Sequence, residues 1–207
     1  MQTLRTRADL ANAVADLTKR DTRLAEARAR VGAPSFRRRK GGFEGLMEIL
    51  VSQQISDAAA ATIHGRLVDA LPEISPAAFL TLTSETLSAC GISRPKQRYL
   101  TALAEALVNG TLDLKALHRA DDDTIRAQLT ALPGIGPWSA DIYLLFCLSR
   151  ADCFPAGDLA LQESYRMLYG KRKRPDAATL AKHAEAWRPY RAVAARLLWM
   201  FYRHARQ

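Results

Sequence analysis

Residues 132–137 read Leu-Pro-Gly-Ile-Gly-Pro and lie between two stretches of helical periodicity, 122–131 and 137–149. Gly134 and Gly136 permit backbone conformations barred to other residues, and they leave no side chain between the backbone and an approaching ligand. Proline at 137 suits a first helical turn. The first amides of that helix lack intrahelical partners and lie at the positive end of its dipole, so an anion such as a phosphate can sit there. Leu132 and Ile135 give the turn an apolar underside. Gly-x-Gly alone is a weak signal, and Pro-Gly is common at ordinary helix–turn–helix corners. The full string is more specific, and it predicts a hairpin of two helices.

The remainder of the chain agrees with a helical fold. No segment shows the sustained period-2 alternation of a strand. Helices are predicted over 7–16, 43–53, 57–70, 84–89 and 96–108, then 122–131, 137–149, 159–169, 179–187 and 190–203. Ser84 can cap its helix and Gly91 can stop it. Gly110 ends the 96–108 helix, and Asp121 or Asp122 can cap the next one. Breaks fall at 32–42, 72–76, 150–157 and 170–175, none long enough for a flexible interdomain linker. The expectation is a single all-α unit over 1–207, with the terminal segments 1–42 and 159–207 packed together and 43–158 forming a central helical subdomain that carries the hairpin.

Charge narrows the partner. The formal net charge is +9, which favours a polyanion, nucleic acid before an anionic membrane surface. Charge alone is equally compatible with a solvated basic surface. Clusters at 37–40 (Arg-Arg-Arg-Lys) and 171–174 (Lys-Arg-Lys-Arg) read singly as loop charge and together as phosphate attractors. The longest apolar run, 142–148, falls far short of a membrane span of about 20 residues. Asp9 and Asp16 interrupt any signal-peptide core. Three irregularly spaced cysteines, Cys90, Cys147 and Cys153, suit reduced thiols in the cytoplasm, and they are too few for a four-cysteine iron–sulfur cluster. The four histidines show no metal-ligand spacing.

The hairpin string, followed by Phe154-Pro155-Ala156-Gly157-Asp158, resembles the helix-hairpin-helix DNA glycosylase superfamily. Three other segments match in family order. They are Leu50-Val51-Ser52-Gln53-Gln54-Ile55-Ser56, the segment from Gly91 through Arg94-Pro95-Lys96 to Leu100, and Trp187-Arg188-Pro189-Tyr190-Arg191 running on to Leu198-Trp199. The last resembles the closing helix of the 3-methyladenine DNA glycosylase II branch. The resemblance runs from about 43 to 203 and implies two helical subdomains flanking a cleft. Longer branch members carry an added β-containing N-terminal domain, so this chain resembles the compact form.

The resemblance also implies a chemistry. Bifunctional glycosylase/lyases place a lysine two residues after the second hairpin glycine, where its amine attacks the sugar. Here that residue is Trp138, and no lysine occurs between Lys115 and Lys171. A monofunctional hydrolase acting in base excision repair is implied, which excises N-alkylated purines such as 3-methyladenine and 7-methylguanine from double-stranded DNA and leaves an abasic site. The target nucleotide must leave the stack. Trp138 and Trp199 match the branch's two base-pocket tryptophans, whose electron-rich faces attract a cationic base; read alone, each is a large core aromatic. The branch's pocket tyrosine has no direct match, since Ile142 stands in its place, and the adjacent Tyr143 is the third base-pocket candidate.

Asp158 matches the catalytic carboxylate, and it is also a good N-cap for the following helix. Gln54 matches the residue that fills the gap left by the flipped nucleotide, with Gln53 as competitor; a pair of solvent-facing glutamines is the plainer alternative. DNA contact is implied for Gln53, Gln54, Gly134, Ile135, Gly136, Trp138 and Ser139. The superfamily hairpin binds a monovalent cation, Na+ or K+, through carbonyl oxygens that here belong to Thr130, Leu132 and Ile135. No cofactor is implied for catalysis. A monomer working on DNA in the cytoplasm, with the nucleoid, is expected, with no membrane partner. Asp57 and Asp141 read as surface carboxylates. Two competing readings are a non-catalytic hairpin DNA-binding module and a glycosylase for oxidised or mismatched bases.

Overall fold

The computed structural model describes residues 2–206. Thirteen α-helices occur among them. In chain order these are α1 (Arg7–Arg20), α2 (Thr22–Val31), α3 (Gly42–Ser52), α4 (Asp57–Asp69), α5 (Pro76–Phe79), α6 (Ser84–Ala89) and α7 (Arg94–Val108). Then follow α8 (Leu114–Leu117), α9 (Asp122–Thr130), α10 (Pro137–Ile142), α11 (Leu159–Leu168), α12 (Ala177–Ala184) and α13 (Arg191–His204). The sole β feature among the described residues is an isolated antiparallel bridge between Thr3 and Arg150. The fold is all-α, as the periodicity indicates.

Short polar side chains start most of these helices. Thr6 and Asp9 form a reciprocal capping box on α1, which satisfies two otherwise orphaned amides. Asp21, Ser56, Asp121, Asp158 and Asp176 cap α2, α4, α9, α11 and α12. Some boundaries differ from the expectation. Thr83, not Ser84, caps α6, while the Ser84 hydroxyl donates to Gln97. Helix α2 was not predicted, because its buried face consists of Leu24 and Ala27 among arginines, too faint a stripe for a 3.6 period. The predicted helix 137–149 is α-helical only to Ile142, and a π-helical turn, Tyr143–Cys147, takes over.

The chain forms two compact units. One contains Met1–Arg38 and Leu144–Gln207, the other Arg39–Tyr143. In the first unit α13 packs on α1, α2 and α11, and its Ala192, Ala194, Ala195, Leu197 and Leu198 are buried. The alanines let neighbouring backbones approach, and each buried leucine stabilises the unit by roughly 1.5–3 kcal/mol. In the second unit α3 packs on α4, α7 and α10, with Leu46, Met47, Ile49, Leu50 and Val51 almost fully buried.

Residues 144–158 belong with the terminal helices rather than with the central subdomain to which the sequence assigned them. Backbone hydrogen bonds fasten them there: Leu4 N to Ser149 O at 2.9 Å, Ala151 N to Gln2 O at 3.0 Å and Ala192 N to Ala151 O at 3.0 Å. Asp158 therefore lies in the same unit as Trp199.

Candidate functional site

The hairpin lies in the unit spanning Arg39–Tyr143. Helix α9 ends at Thr130, and the amide of Ile135 donates to the Leu132 carbonyl at 3.2 Å, closing the turn. Gly134 sits at φ +82, a left-handed conformation that a side chain disfavours. Gly136 is the N-cap of α10, and the helical ladder begins where Ala140 N donates to Gly136 O at 3.1 Å. Ile135 is buried beneath the turn, while Pro133, Gly136 and Pro137 are exposed. A Cβ built on Gly136 would meet nothing within 4 Å. At Gly136 the turn thus exposes bare backbone, at the positive end of α10. That arrangement suits a phosphate.

Two neighbouring glutamines have different roles. The Gln53 side-chain amide donates to the Gly134 carbonyl at 2.9 Å and to the Ser139 hydroxyl at 2.8 Å. The half-buried Gln53 and the buried Ser139 therefore brace the hairpin from within. Gln54, at φ +59, is exposed on the turn after α3. Of the two gap-filling candidates, Gln53 is bonded to the hairpin and Gln54 is exposed.

Lysine 96 holds the same turn from behind. The Lys96 ammonium donates to the carbonyls of Val51 at 2.6 Å and Gln53 at 2.8 Å. Partial burial pushes its pKa below the ordinary lysine value. Sequence reasoning assigned Lys96 no role, although it lies within a segment that matches the superfamily.

Four further residues of this unit bear on the expectation. Trp138 is half-buried at the second position of α10. Tyr143 is fully buried, and its hydroxyl is engaged by His118 Nε2 at 2.8 Å and by the Gly42 amide at 3.0 Å. It is a core residue, not a ring open to a base. Asp141 is no surface carboxylate. It is 8% exposed and pairs with Arg126 Nε at 2.8 Å, tying α10 to α9. Asp57 is exposed at the start of α4.

The catalytic candidate lies in the other unit. Asp158 Oδ1 accepts the Leu161 amide at 3.0 Å, capping α11, and the Trp199 indole N–H at 3.2 Å. Two donors on one oxygen fix the direction of the carboxylate. The Trp199 ring stacks on Phe146, with centroids 5.8 Å apart and planes 25° apart. The Arg196 guanidinium lies over the same Phe146 ring, 4.6 Å from its centroid. Arg196 is 7% exposed, and Nη2 donates to the carbonyls of Arg37 and Leu145. Burial pushes its pKa down to about 10. The π-helical turn thus presents Phe146 to two α13 residues three positions apart, which share a face of that helix. Sequence reading missed both Phe146 and Arg196. Phe146 hides within an apolar run, and a buried arginine has no local signature.

Cys90, Cys147 and Cys153 are free and buried. Among the described residues no group of three or more His, Cys, Asp or Glu side chains could hold a metal ion, and no helix is long and apolar enough to cross a membrane.

Known proteins with this arrangement repair DNA. Residues 47–189 match the sequence profile of the HhH-GPD superfamily base excision DNA repair protein. DNA-3-methyladenine glycosylase 1 of Schizosaccharomyces pombe is 32% identical over 165 residues, covering 78% of this chain and 72% of that protein. The solved structure of the S. pombe 3-methyladenine DNA glycosylase Mag1 in complex with abasic DNA superposes with a TM-score of 0.85 at 29% identity, covering 91% of this chain and 95% of that one. A DNA-3-methyladenine glycosidase from Bacillus halodurans superposes with a TM-score of 0.77 at 30% identity, covering 96% and 91%. The profile match takes in the hairpin, the braced glutamine turn and Asp158 alike, and this chain belongs to the HhH-GPD superfamily of base excision DNA repair proteins.

Proposed function

We propose that this protein is a monofunctional DNA glycosylase for N-alkylated purines, 3-methyladenine and 7-methylguanine among them. The observation that carries this reading is Asp158, a half-buried carboxylate aimed by the Trp199 N–H and the α11 amide, in a chain whose hairpin helix bears Trp138 instead of a lysine. The hairpin backbone holds a phosphate of the lesion strand, Gln54 fills the gap in the duplex, and Trp138 and Trp199 are the aromatic candidates for the extruded cationic base.

Alkylation already weakens the glycosidic bond, so one carboxylate suffices where sugar hydrolases commonly use two. The bond between the base nitrogen and C1′ breaks with its electron pair leaving on the base, which departs neutral. Water oxygen bonds to C1′ and loses a proton. Asp158 stabilises the positive charge on the sugar, accepts that proton, or does both. The strand stays intact with an abasic site.

A monovalent cation at the hairpin carbonyls is part of this proposal. The Thr130 carbonyl ends α9, where helix geometry supplies no amide partner and the dipole is negative. The Leu132 carbonyl retains a second lone pair beyond its bond to Ile135. Together with Ile135 these oxygens would hold Na+ or K+, which would add positive charge beside the bound phosphate. We assign the protein to the cytoplasm as a monomer acting on lesion-bearing duplex DNA. Incubation of the full-length protein with methylated duplex DNA should release free 3-methyladenine and 7-methylguanine, read by chromatography. Absence of both from the supernatant would defeat the proposal.

A further inference from the structure

Helix α7 touches both candidate DNA-contacting loops of its unit. Near its start, Lys96 bridges the carbonyls of Val51 and Gln53. That fastens the end of α3 immediately before Gln54. Three residues on, and therefore on the same face, Tyr99 packs against the hairpin so closely that a Cβ on Gly134 would collide with its ring. Gln53 closes the loop by donating to the Gly134 carbonyl and the Ser139 hydroxyl. Lys96, Gln53, Gly134 and Tyr99 thus form a circuit that runs from helix to turn to hairpin and back.

Gln54 needs such support. It holds a left-handed backbone at φ +59 without being glycine, a conformation that persists only when its surroundings enforce it. Its side chain is exposed, so the constraint has to come through the backbone. The Gln53 carbonyl, the last polar group before Gln54, is held by Lys96 at 2.8 Å. A charged donor shared between two carbonyls is strong for its size. Half-buried, it is also less accessible to water than a surface lysine.

We infer that Lys96 is a positioning residue for duplex opening: with Tyr99 it fixes the register between the Gln54 turn and the phosphate-holding hairpin. This inference rests on the proposed wedge role of Gln54, but it does not depend on base release, so the two can fail separately.

The test is binding of the full-length protein to two duplexes of one sequence, one intact and one carrying a tetrahydrofuran abasic analogue. The readout is the ratio of their affinities at fixed salt. Gln54→Ala should lower the wild-type preference for the abasic duplex by about tenfold, the factor that about 1.4 kcal/mol represents. Lys96→Met, which keeps the aliphatic stem and removes the donor, should lower the ratio similarly. The double variant should fall no further than either single one, the mark of residues acting as a unit. Lys96→Arg, still a charged multiple donor, should retain most of the preference. If Lys96→Met does not fold by circular dichroism, Lys96→Leu, also without a donor, carries the same comparison.

A lysine that merely contacts phosphate, or merely supports the fold, would weaken binding to both duplexes alike and leave the ratio unchanged. That result overturns the inference, as does additivity in the double variant. A wild type without preference for the abasic duplex removes the wedge role and the inference with it, whatever the base-release assay shows.

Discussion

Asp158 Oδ1 does two things at once: it caps α11 through the Leu161 amide and receives the Trp199 indole N–H. An asparagine Oδ1 can accept both hydrogen bonds and is itself a favoured N-cap. Asp158→Asn therefore removes the charge while keeping the local geometry. The expected result is a thermal midpoint close to wild type and a single-turnover excision rate lower by about 100-fold or more, the order seen when an electrostatic stabiliser of a transition state is removed. Asp158→Ala should in addition lose about 1 kcal/mol of cap stability. Single-turnover kinetics on a 7-methylguanine duplex, alongside thermal melting, separates the effects, and an unaltered rate in the asparagine variant would exclude a catalytic carboxylate here. The identity of Asp158 was legible in sequence because Gly-Asp before an apolar helix is both a cap signal and part of a motif. Its orientation was not. Trp199 donates from the far end of the chain, and the stacking of Phe146 on the Trp199 ring and of Arg196 on the Phe146 ring is tertiary. Tyr143 shows the converse error: sequence adjacency to a pocket position placed it near the base, whereas its hydroxyl is committed to His118 and Gly42.

The hairpin joins two helices through two glycines that serve different ends, and substitution should reveal the difference. Gly134 has φ +82 and the Tyr99 ring where a Cβ would go, so Gly134→Ala should destabilise the fold by several kcal/mol, combining backbone strain with a steric clash. Gly136 is the exposed N-cap of α10 at φ −91, with open space around its missing Cβ. Gly136→Ala should leave the melting temperature nearly unchanged, apart from a modest loss of cap preference, yet weaken duplex binding several-fold by placing a methyl group between backbone and phosphate. Chemical denaturation and fluorescence anisotropy measure the two effects independently. Unimpaired DNA binding by Gly136→Ala would mean that this face of the hairpin does not meet the backbone. The hairpin was legible because its constraint is local, two glycines and a proline at fixed offsets. Helix α2 was not, because Leu24 and Ala27 bury its face without a clear apolar stripe, and tertiary packing on α13 supplies the rest. The π-helical turn after Ile142 was equally hidden. Residues 142–148 have the composition of an ordinary buried helix, and nothing in that composition distinguishes an i→i+5 turn from an i→i+4 one.

On the scale of the whole molecule, the all-α architecture followed from periodicity and caps, whereas the division into units did not. Residues 144–158 join the terminal helices through backbone bonds to Gln2, Leu4 and Ala192, and such pairings leave no mark on side-chain identity. The net charge of +9 provides long-range attraction to duplex DNA with no bearing on which bond breaks. The fate of the strand depends instead on whether an amine can reach C1′. A lyase needs one, because a Schiff base is what labilises the 3′ phosphate. No lysine occurs between Lys115 and Lys171, so neither α10 nor the loop leading to Asp158 supplies one, and the Lys96 ammonium is committed to two carbonyls. The proposed reaction therefore takes water as its nucleophile. Treatment of the protein with a lesion duplex under sodium borohydride should therefore yield no covalent protein–DNA adduct on a denaturing gel. The lesion strand should run at full length until hot alkali cleaves it at the abasic site. An adduct formed in stoichiometric yield would show that an amine attacks C1′ after all, and peptide mapping would then identify a nucleophile outside the hairpin helix.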